Sequence, residues 1–241
     1  LKGSLRQHTM NIVFDLDGTL IDSAPDIHSV ACAVLGPLGK EGLSLAETRN
    51  FIGEGGAVFV SRMMAARGIP ETPGSHALIY KEFIALYEFS VDKAVFYSGA
   101  LETLVRLKAD GHSLGLCTNK PERPARSVLR HMGLESMFDA VMAGGMIDSR
   151  KPEPDMLLET IRNLGDGPTL YVGDSEIDAE TARRADVPFA LYSEGYRKAA
   201  VSEIHHNWVF GEFALLPGIV VAFLKGAGVP DAGSRDGAIG N

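Results

Sequence analysis

The sequence predicts an α/β fold: a parallel sheet with helices on both faces and a small helical domain inserted after the first strand. Two observations predict the sheet. Short apolar runs rich in β-branched residues recur along the chain, each ending at a polar residue or a glycine, as strands buried on both faces do. Helical patterns lie between most of these runs. A third observation predicts the insert: residues 25–91 show amphipathic helical stretches and no strand pattern.

The elements follow in order. Residues 10–14 (Met-Asn-Ile-Val-Phe) form the first expected strand and stop at Asp15. The insert comes next, broken at Gly53-Glu54-Gly55-Gly56 by a turn. Residues 101–109 place Leu101, Leu104 and Val105 at helical spacing. Further strands are expected at 113–117, 140–143, 169–172, 189–192 and 208–210, with helices at 121–132, 154–163 and 178–185. Gly111, Gly133 and Gly165 follow helical stretches, where C-terminal caps sit. The expected organisation is a discontinuous core of residues 10–24 and 92–225 and a helical insert of 25–91. Flexible tails are expected at 1–9 and 226–241, the latter rich in Gly, Ala, Asp and Ser.

Composition narrows the function. The chain has 241 residues, 45% of them apolar and 22% charged, with a formal net charge of −8. No basic patch is visible, which argues against a nucleic-acid partner, and the acidic balance argues against an anionic membrane surface. The longest apolar stretch, residues 213–224, contains Pro217 and Gly218 and is too short to span a bilayer. Cys32 and Cys117 make no disulfide framework and read as small buried residues in a reducing compartment. With no apolar signal segment in residues 1–9, the expected localisation is cytoplasmic. The expected assembly is a monomer or homodimer.

Ligands of open parallel sheets bind at the carboxyl ends of the strands, and chemistry-bearing residues cluster there. Asp15-Leu16-Asp17-Gly18-Thr19-Leu20 follows the first strand. Residues two apart in an extended segment face the same side, so Asp15 and Asp17 address one site. One carboxylate can attack phosphorus; the other can protonate a leaving oxygen and then deprotonate water. Gly18 allows a sharp turn that presents backbone N–H groups to an anion. Thr118-Asn119 ends the next strand and offers a hydroxyl and an amide to phosphate oxygens, or a helix cap. Lys151 can neutralise the nucleophile and the incoming phosphate, with Arg150 as a rival cation. Asp174 ends the strand at 169–172 and, with Asp15, suits Mg²⁺, which prefers carboxylate oxygens. Asp178 lies one helical turn later and can orient Lys151 or a water. The inventory is that of phosphoryl transfer.

These segments resemble, in order and over about residues 10–224, the four signature motifs of the haloacid dehalogenase superfamily. The first, residues 15–20 followed by Ile21-Asp22-Ser23, is the most specific. The resemblance implies a Rossmann-like core, a helical cap formed by the insert, and Mg²⁺ as cofactor. It implies Asp15 as nucleophile and metal ligand, and Asp17 as general acid/base with its backbone carbonyl on the metal. Thr118 would bind phosphate, Lys151 would steady the charge, Asp174 would complete the metal site and Asp178 would support it. Phe51-Ile52-Gly53-Glu54-Gly55, Cys117-Thr118-Asn119-Lys120-Pro121 and Lys151-Pro152-Glu153-Pro154-Asp155 look most like the phosphoglycolate phosphatase branch. That likeness implies hydrolysis of a small phosphorylated metabolite, 2-phosphoglycolate first. The alternatives are a sugar phosphate, a nucleotide, pyrophosphate or a phosphomutase reaction. Gly53, Glu54 and Arg62 would then select the substrate from the cap, Arg62 meeting a substrate carboxylate on closure. Ser98 stands where that branch usually has proline, and residues 146–150 are less acidic than in some members.

Three further features read as structural. His205 and His206 are adjacent and cannot face one metal from regular backbone. Trp208 reads as packing and Lys40 as a surface lysine.

Overall fold

The computed structural model describes residues 9–226, so most of both expected tails lies outside the described residues. The first strand, β1 (Asn11–Phe14), is buried along its whole length. It pairs in parallel with β4 (Ser113–Pro121) on one side and β6 (Thr169–Gly173) on the other. The other strands of this sheet are β5 (Ala140–Gly144), β7 (Phe189–Tyr192) and β8 (Trp208–Phe210). Their order is β5-β4-β1-β6-β7-β8, and every pairing is parallel. The chain builds outward from β1 through β4 to β5, then returns to β6 on the other side. The strand order therefore reverses at β1, and a crevice opens at its carboxyl end.

Helices α5 (Ala100–Ala109), α6 (Glu122–His131), α7 (Asp155–Leu164), α8 (Glu176–Ala185) and α9 (Leu216–Leu224) accompany the sheet. Two apolar clusters lie on its faces, one around Ile12, Phe14, Leu104, Leu116 and Phe213, the other around Val13, Met156, Tyr171 and Phe189. A fully buried side chain of this size contributes roughly 1.5–3 kcal/mol, so both faces hold β1 rigidly beneath the crevice. Trp208 packs edge-on against Phe223, 5.8 Å between ring centroids.

The insert is helical, as expected: α1 (Ala24–Leu35), α2 (Leu45–Phe51), α3 (Gly56–Ala66) and α4 (Pro73–Tyr87). Reciprocal hydrogen bonds between Ser44 and Glu47 start α2, and Thr72 with Ser75 starts α4, each occupying N-terminal amides that the helix leaves unpaired. The insert has its own core, including Ile27, Leu35, Phe59, Met63 and Phe83.

The structure corrects the sequence reading in two places. A two-residue antiparallel pair, β2 (Ile21–Asp22) with β3 (Val95–Phe96), joins the two halves at the root of the insert; so short an element leaves no periodicity to read. β4 continues to Pro121 where a helix was expected to start. Thr118 pairs with Ala143, and Pro121 with Gly144 beyond an irregularity. The ladder reaches that far because Gly144 has no side chain: a Cβ there would stand 2.6 Å from the Asn119 carbonyl oxygen. Among the described residues, no helix is long and apolar enough to cross a membrane.

Candidate active site

Asp15 follows the last residue of β1 and is 8% exposed. The turn beyond it is closed by the Leu16 carbonyl, which accepts the Thr19, Leu20 and Ile21 amides at 3.3, 2.9 and 3.2 Å. Gly18 sits at φ +90°, and a Cβ there would meet Asp174 Oδ2 at 2.5 Å. A glycine is thus required both by conformation and by the close approach of the β6 loop. Its own N–H donates to the Ile21 carbonyl at 2.9 Å.

Lys151, from the loop before α7, is 2% exposed, whereas Arg150 beside it is exposed. The Lys151 ammonium donates to the Cys117 carbonyl at 3.1 Å, the Tyr171 hydroxyl at 3.0 Å and Asp178 Oδ1 at 2.7 Å. Three acceptors occupy its three hydrogens. Asp15 Oδ1 lies 2.8 Å from the same nitrogen. The two form a buried ion pair. Asp178 also accepts from Ser175 and the Tyr171 hydroxyl, so its two oxygens are saturated. Asp174 accepts from Thr19 Oγ1 at 2.8 Å and from the Tyr196 N–H at 2.6 Å.

The electrostatics follow from burial. Burial pushes the Asp15 carboxyl up to about 7, with Lys151 opposing and Asp178 adding to the rise. Asp174 is raised well above the carboxylate range by burial, then by Asp178 and Asp15. For Asp178, burial alone would act upward, but Lys151 and its hydrogen bonds hold it below its ordinary value. Burial alone would lower the Lys151 ammonium; Asp15 and Asp178 raise it instead.

The site's charge does not balance. Asp15, Asp174 and Asp178 each bring a carboxylate oxygen within 4.8 Å of the others, and Lys151 is the cation paired with two of them. Uncompensated buried charge is costly. A divalent cation beside Asp15 and Asp174 fits this deficit. All-oxygen donors suit Mg²⁺. Asp178, already saturated, would support Lys151 rather than ligate. His205 and His206 join no such cluster among the described residues.

Asp17 lines the same pocket as Asp15 and makes its contacts toward the insert. It accepts from Ser23 Oγ at 2.5 Å and lies 3.0 Å from the Lys120 ammonium. Lys120 is 5% exposed, donates to the Tyr87 hydroxyl of α4 and stands 4.3 Å above its ring centroid. The sequence reading assigned Lys120 and Tyr87 no role. The signal for Lys120 was available: in an extended strand it faces the same side as Thr118. Thr118 Oγ1 accepts the Lys120 amide at 3.2 Å, which leaves its own proton for a ligand. Asn119 departs from its expected use. Its amide donates to the carbonyls of Gly53 and Lys151 at 3.0 and 2.9 Å, and its oxygen accepts the Lys151 N–H at 2.9 Å. The side chain is a strut between cap, β4 and the lysine loop, with no hydrogen left for phosphate.

A pocket between the core and the insert is lined by Asp15 and Asp17 on one side, and Ile27, Ile52, Phe59 and Phe83 give it an apolar wall. Gly53 lines it. Glu54 and Arg62 do not: they form an ion pair, and Arg62 also donates to the Phe51 carbonyl at 3.2 Å. A second, smaller recess beside Asp174 is lined by Gly53, Tyr196 and Lys198. Tyr196 was also missed. Its hydroxyl donates to Asp22 at 2.5 Å and accepts the Ala24 N–H at 3.0 Å, at the root of the insert. Arg49 of the cap holds the other Asp22 oxygen at 2.8 Å.

Comparison with known proteins places this geometry. A phosphoglycolate phosphatase of Rhodobacter capsulatus is 42% identical over 210 residues, 87% of this chain and 95% of its own length. One of Cereibacter sphaeroides is 44% identical over 214 residues, 87% and 96% respectively. The crystal structure of a predicted phosphoglycolate phosphatase from Haemophilus somnus superposes with a TM-score of 0.83 at 26% identity, covering 90% of this chain and 99% of that one. Residues 12–192 match the family model described as haloacid dehalogenase-like hydrolase, and the chain belongs to that family.

Proposed function

We propose that the protein hydrolyses a small phosphomonoester, with 2-phosphoglycolate as the leading substrate, through a phosphorylated Asp15 and with Mg²⁺ as cofactor. One observation carries the reading: a buried carboxylate at the tip of the central strand lies 2.8 Å from a buried ammonium and within 4.8 Å of a second buried carboxylate. The names of the similar phosphatases support the choice of substrate.

An Asp15 oxygen attacks phosphorus, and the bond between phosphorus and the bridging oxygen breaks. Asp17, on the cap side, gives its proton to the departing alkoxide. Asp17 then takes a proton from water as that water attacks the phosphorus of the aspartyl phosphate, which releases phosphate and frees Asp15. Thr118 donates its hydroxyl proton to a phosphate oxygen, and Lys151 offsets the charge on the nucleophile. A bound Mg²⁺, held by Asp15, Asp174 and the Asp17 carbonyl, would supply positive charge to the phosphate oxygens. The apolar cap wall limits water during both steps.

The test is a survey of kcat/KM over some dozens of phosphate esters with Mg²⁺, including sugar phosphates, nucleotides and pyrophosphate. The expected result is 2-phosphoglycolate at the head by at least about tenfold. A sugar phosphate or nucleotide at the head would overturn the substrate assignment.

A further inference from the structure

The cavity between core and cap is lopsided in charge. Its far wall is apolar, with Ile27, Phe59 and Phe83 prominent. Such a wall offers no hydrogen bonds to the hydroxyls of a sugar. Lys120 is the one basic side chain lining it among the described residues. Lys151 and the metal-binding carboxylates serve the phosphate end, so Lys120 has no part in the chemistry set out above. It is nonetheless held at a defined point. Its ammonium reaches both Asp17 oxygens, at 3.0 and 3.3 Å, and donates to the Tyr87 hydroxyl; one bifurcated hydrogen serves the two Asp17 oxygens, which leaves the third for an anion. Because that hydroxyl accepts from Lys120, its own proton can be given to an anion in the cavity.

We infer that Lys120 and Tyr87 form a carboxylate-binding pair that selects substrates with a carboxylate on the carbon next to the bridging oxygen. The inference rests on the reading of Asp15 and Asp17 as nucleophile and acid. Its geometry is simple. A general acid must come within about 2.6–3.2 Å of the oxygen it protonates. Lys120 stands a further 3.0 Å from Asp17, so it lies no more than about 6 Å from the bridging oxygen. In an O–CH₂–COO⁻ unit two carbon bonds separate the bridging oxygen from the carboxylate, placing a carboxylate oxygen about 3 Å away. One charge-assisted hydrogen bond of about 2.8 Å then closes the gap. Each added methylene moves the carboxylate about 1.3 Å further and past the ammonium. The pair reads both the charge of the leaving group and its length, and one half of it, Tyr87, comes from the cap.

The test compares three esters with the full-length Mg²⁺-loaded enzyme: 2-phosphoglycolate, its neutral amide, and the phosphate ester of 3-hydroxypropionate. The quantity read is the ratio of kcat/KM for phosphoglycolate to that for each other ester, because any damage to Asp17 or to folding affects all three and cancels. In wild type both ratios should exceed about 30, as expected for a charge-assisted contact. In Lys120→Met the phosphoglycolate-to-amide ratio should collapse to within about threefold of unity, mainly through KM. Lys120→Arg should recover part of it, and Tyr87→Phe should reduce it less than Lys120→Met. An unchanged ratio in Lys120→Met, with wild type still preferring phosphoglycolate, overturns the Lys120 assignment alone. A wild type that hydrolyses the amide as well as phosphoglycolate overturns the carboxylate-binding pair and the proposed substrate together.

Discussion

Asn119 grips the backbone of Lys151 at both its polar groups. Its amide nitrogen donates to the Lys151 carbonyl at 2.9 Å, and its oxygen accepts the Lys151 N–H at 2.9 Å. A side chain thereby does what a neighbouring strand would do, and it fixes the loop that carries the buried ammonium. Asn119→Ala leaves that N–H and carbonyl unpaired in a buried place. The expected cost is about 1–3 kcal/mol per unpaired group, with kcat reduced at least about tenfold because Lys151 is no longer held. Thermal unfolding and steady-state kinetics read the two effects. Loss of stability without loss of rate would show that Lys151 is positioned by Asp178 alone.

Lys151 itself neutralises two buried carboxylates, Asp15 at 2.8 Å and Asp178 at 2.7 Å. Lys151→Met removes the charge and keeps most of the volume. Breaking a buried ion pair from one side costs about 3–5 kcal/mol, and turnover should fall by several orders of magnitude. Lys151→Met with Asp178→Asn should regain part of the stability but none of the rate. Denaturant unfolding separates these outcomes; a single variant as stable as wild type would contradict the charge accounting.

Much of this arrangement was legible in the sequence, and the reasons are local. Asp15, Asp17, Asp174 and Asp178 follow apolar runs, and period-two and helical spacing told which of them share a face. Lys120 and Tyr87 were not legible as a pair. Their meeting depends on how α4 of the insert lies over β4, a long-range relationship with no local pattern. Tyr196 escaped for a similar reason: the loop beyond β7 reaches back to Asp174 and Asp22 only because the sheet brings β7 beside β6. Asn119 was read as a ligand group because its type and place fit one, whereas its amide hydrogens go to the Gly53 and Lys151 carbonyls. The antiparallel pair β2–β3 is too short for any periodicity to register.

The two raised carboxyls set a pH dependence for the metal-free protein. Asp15 moves from 3.8 up to about 7, and Asp174 is raised well above 3.8. Between these values the folded chain holds protons that the unfolded chain has lost. Stability conferred by these groups is therefore present at the acid end and declines as pH rises through the window from about 4 to 7. Asp178, held below 3.8, acts in the opposite sense, its contribution being lost only as pH falls below that window. Denaturant midpoints in excess chelator should show a shallower decline from pH 4 to pH 7 for Asp174→Asn than for wild type. Excess Mg²⁺ should stabilise wild type increasingly with pH, since its ligands must be deprotonated. A Mg²⁺ effect that shrinks as pH rises would contradict this.

Tyr196 ties the Asp174 side of the site to the root of the insert. Its N–H holds Asp174 and its hydroxyl holds Asp22. Tyr196→Phe keeps the first contact and removes the second. The expected cost is about 1 kcal/mol in stability, with KM raised several-fold and kcat little changed, because the cap is less firmly latched while the chemistry is intact. Kinetics with 2-phosphoglycolate check the split; an equal loss in kcat and no change in KM would assign Tyr196 to the chemical step instead.

The most direct measurement is acid-quench mass spectrometry of the Asp15-containing peptide during turnover of 2-phosphoglycolate with Mg²⁺. Phosphate should appear on Asp15 in wild type and accumulate in Asp17→Asn, where water is no longer activated. Asp15→Asn should carry no phosphate and retain less than about a hundredth of wild-type kcat. Turnover by Asp15→Asn near the wild-type rate, with no phosphate on residue 15 of any variant, would contradict the covalent role assigned to this carboxylate.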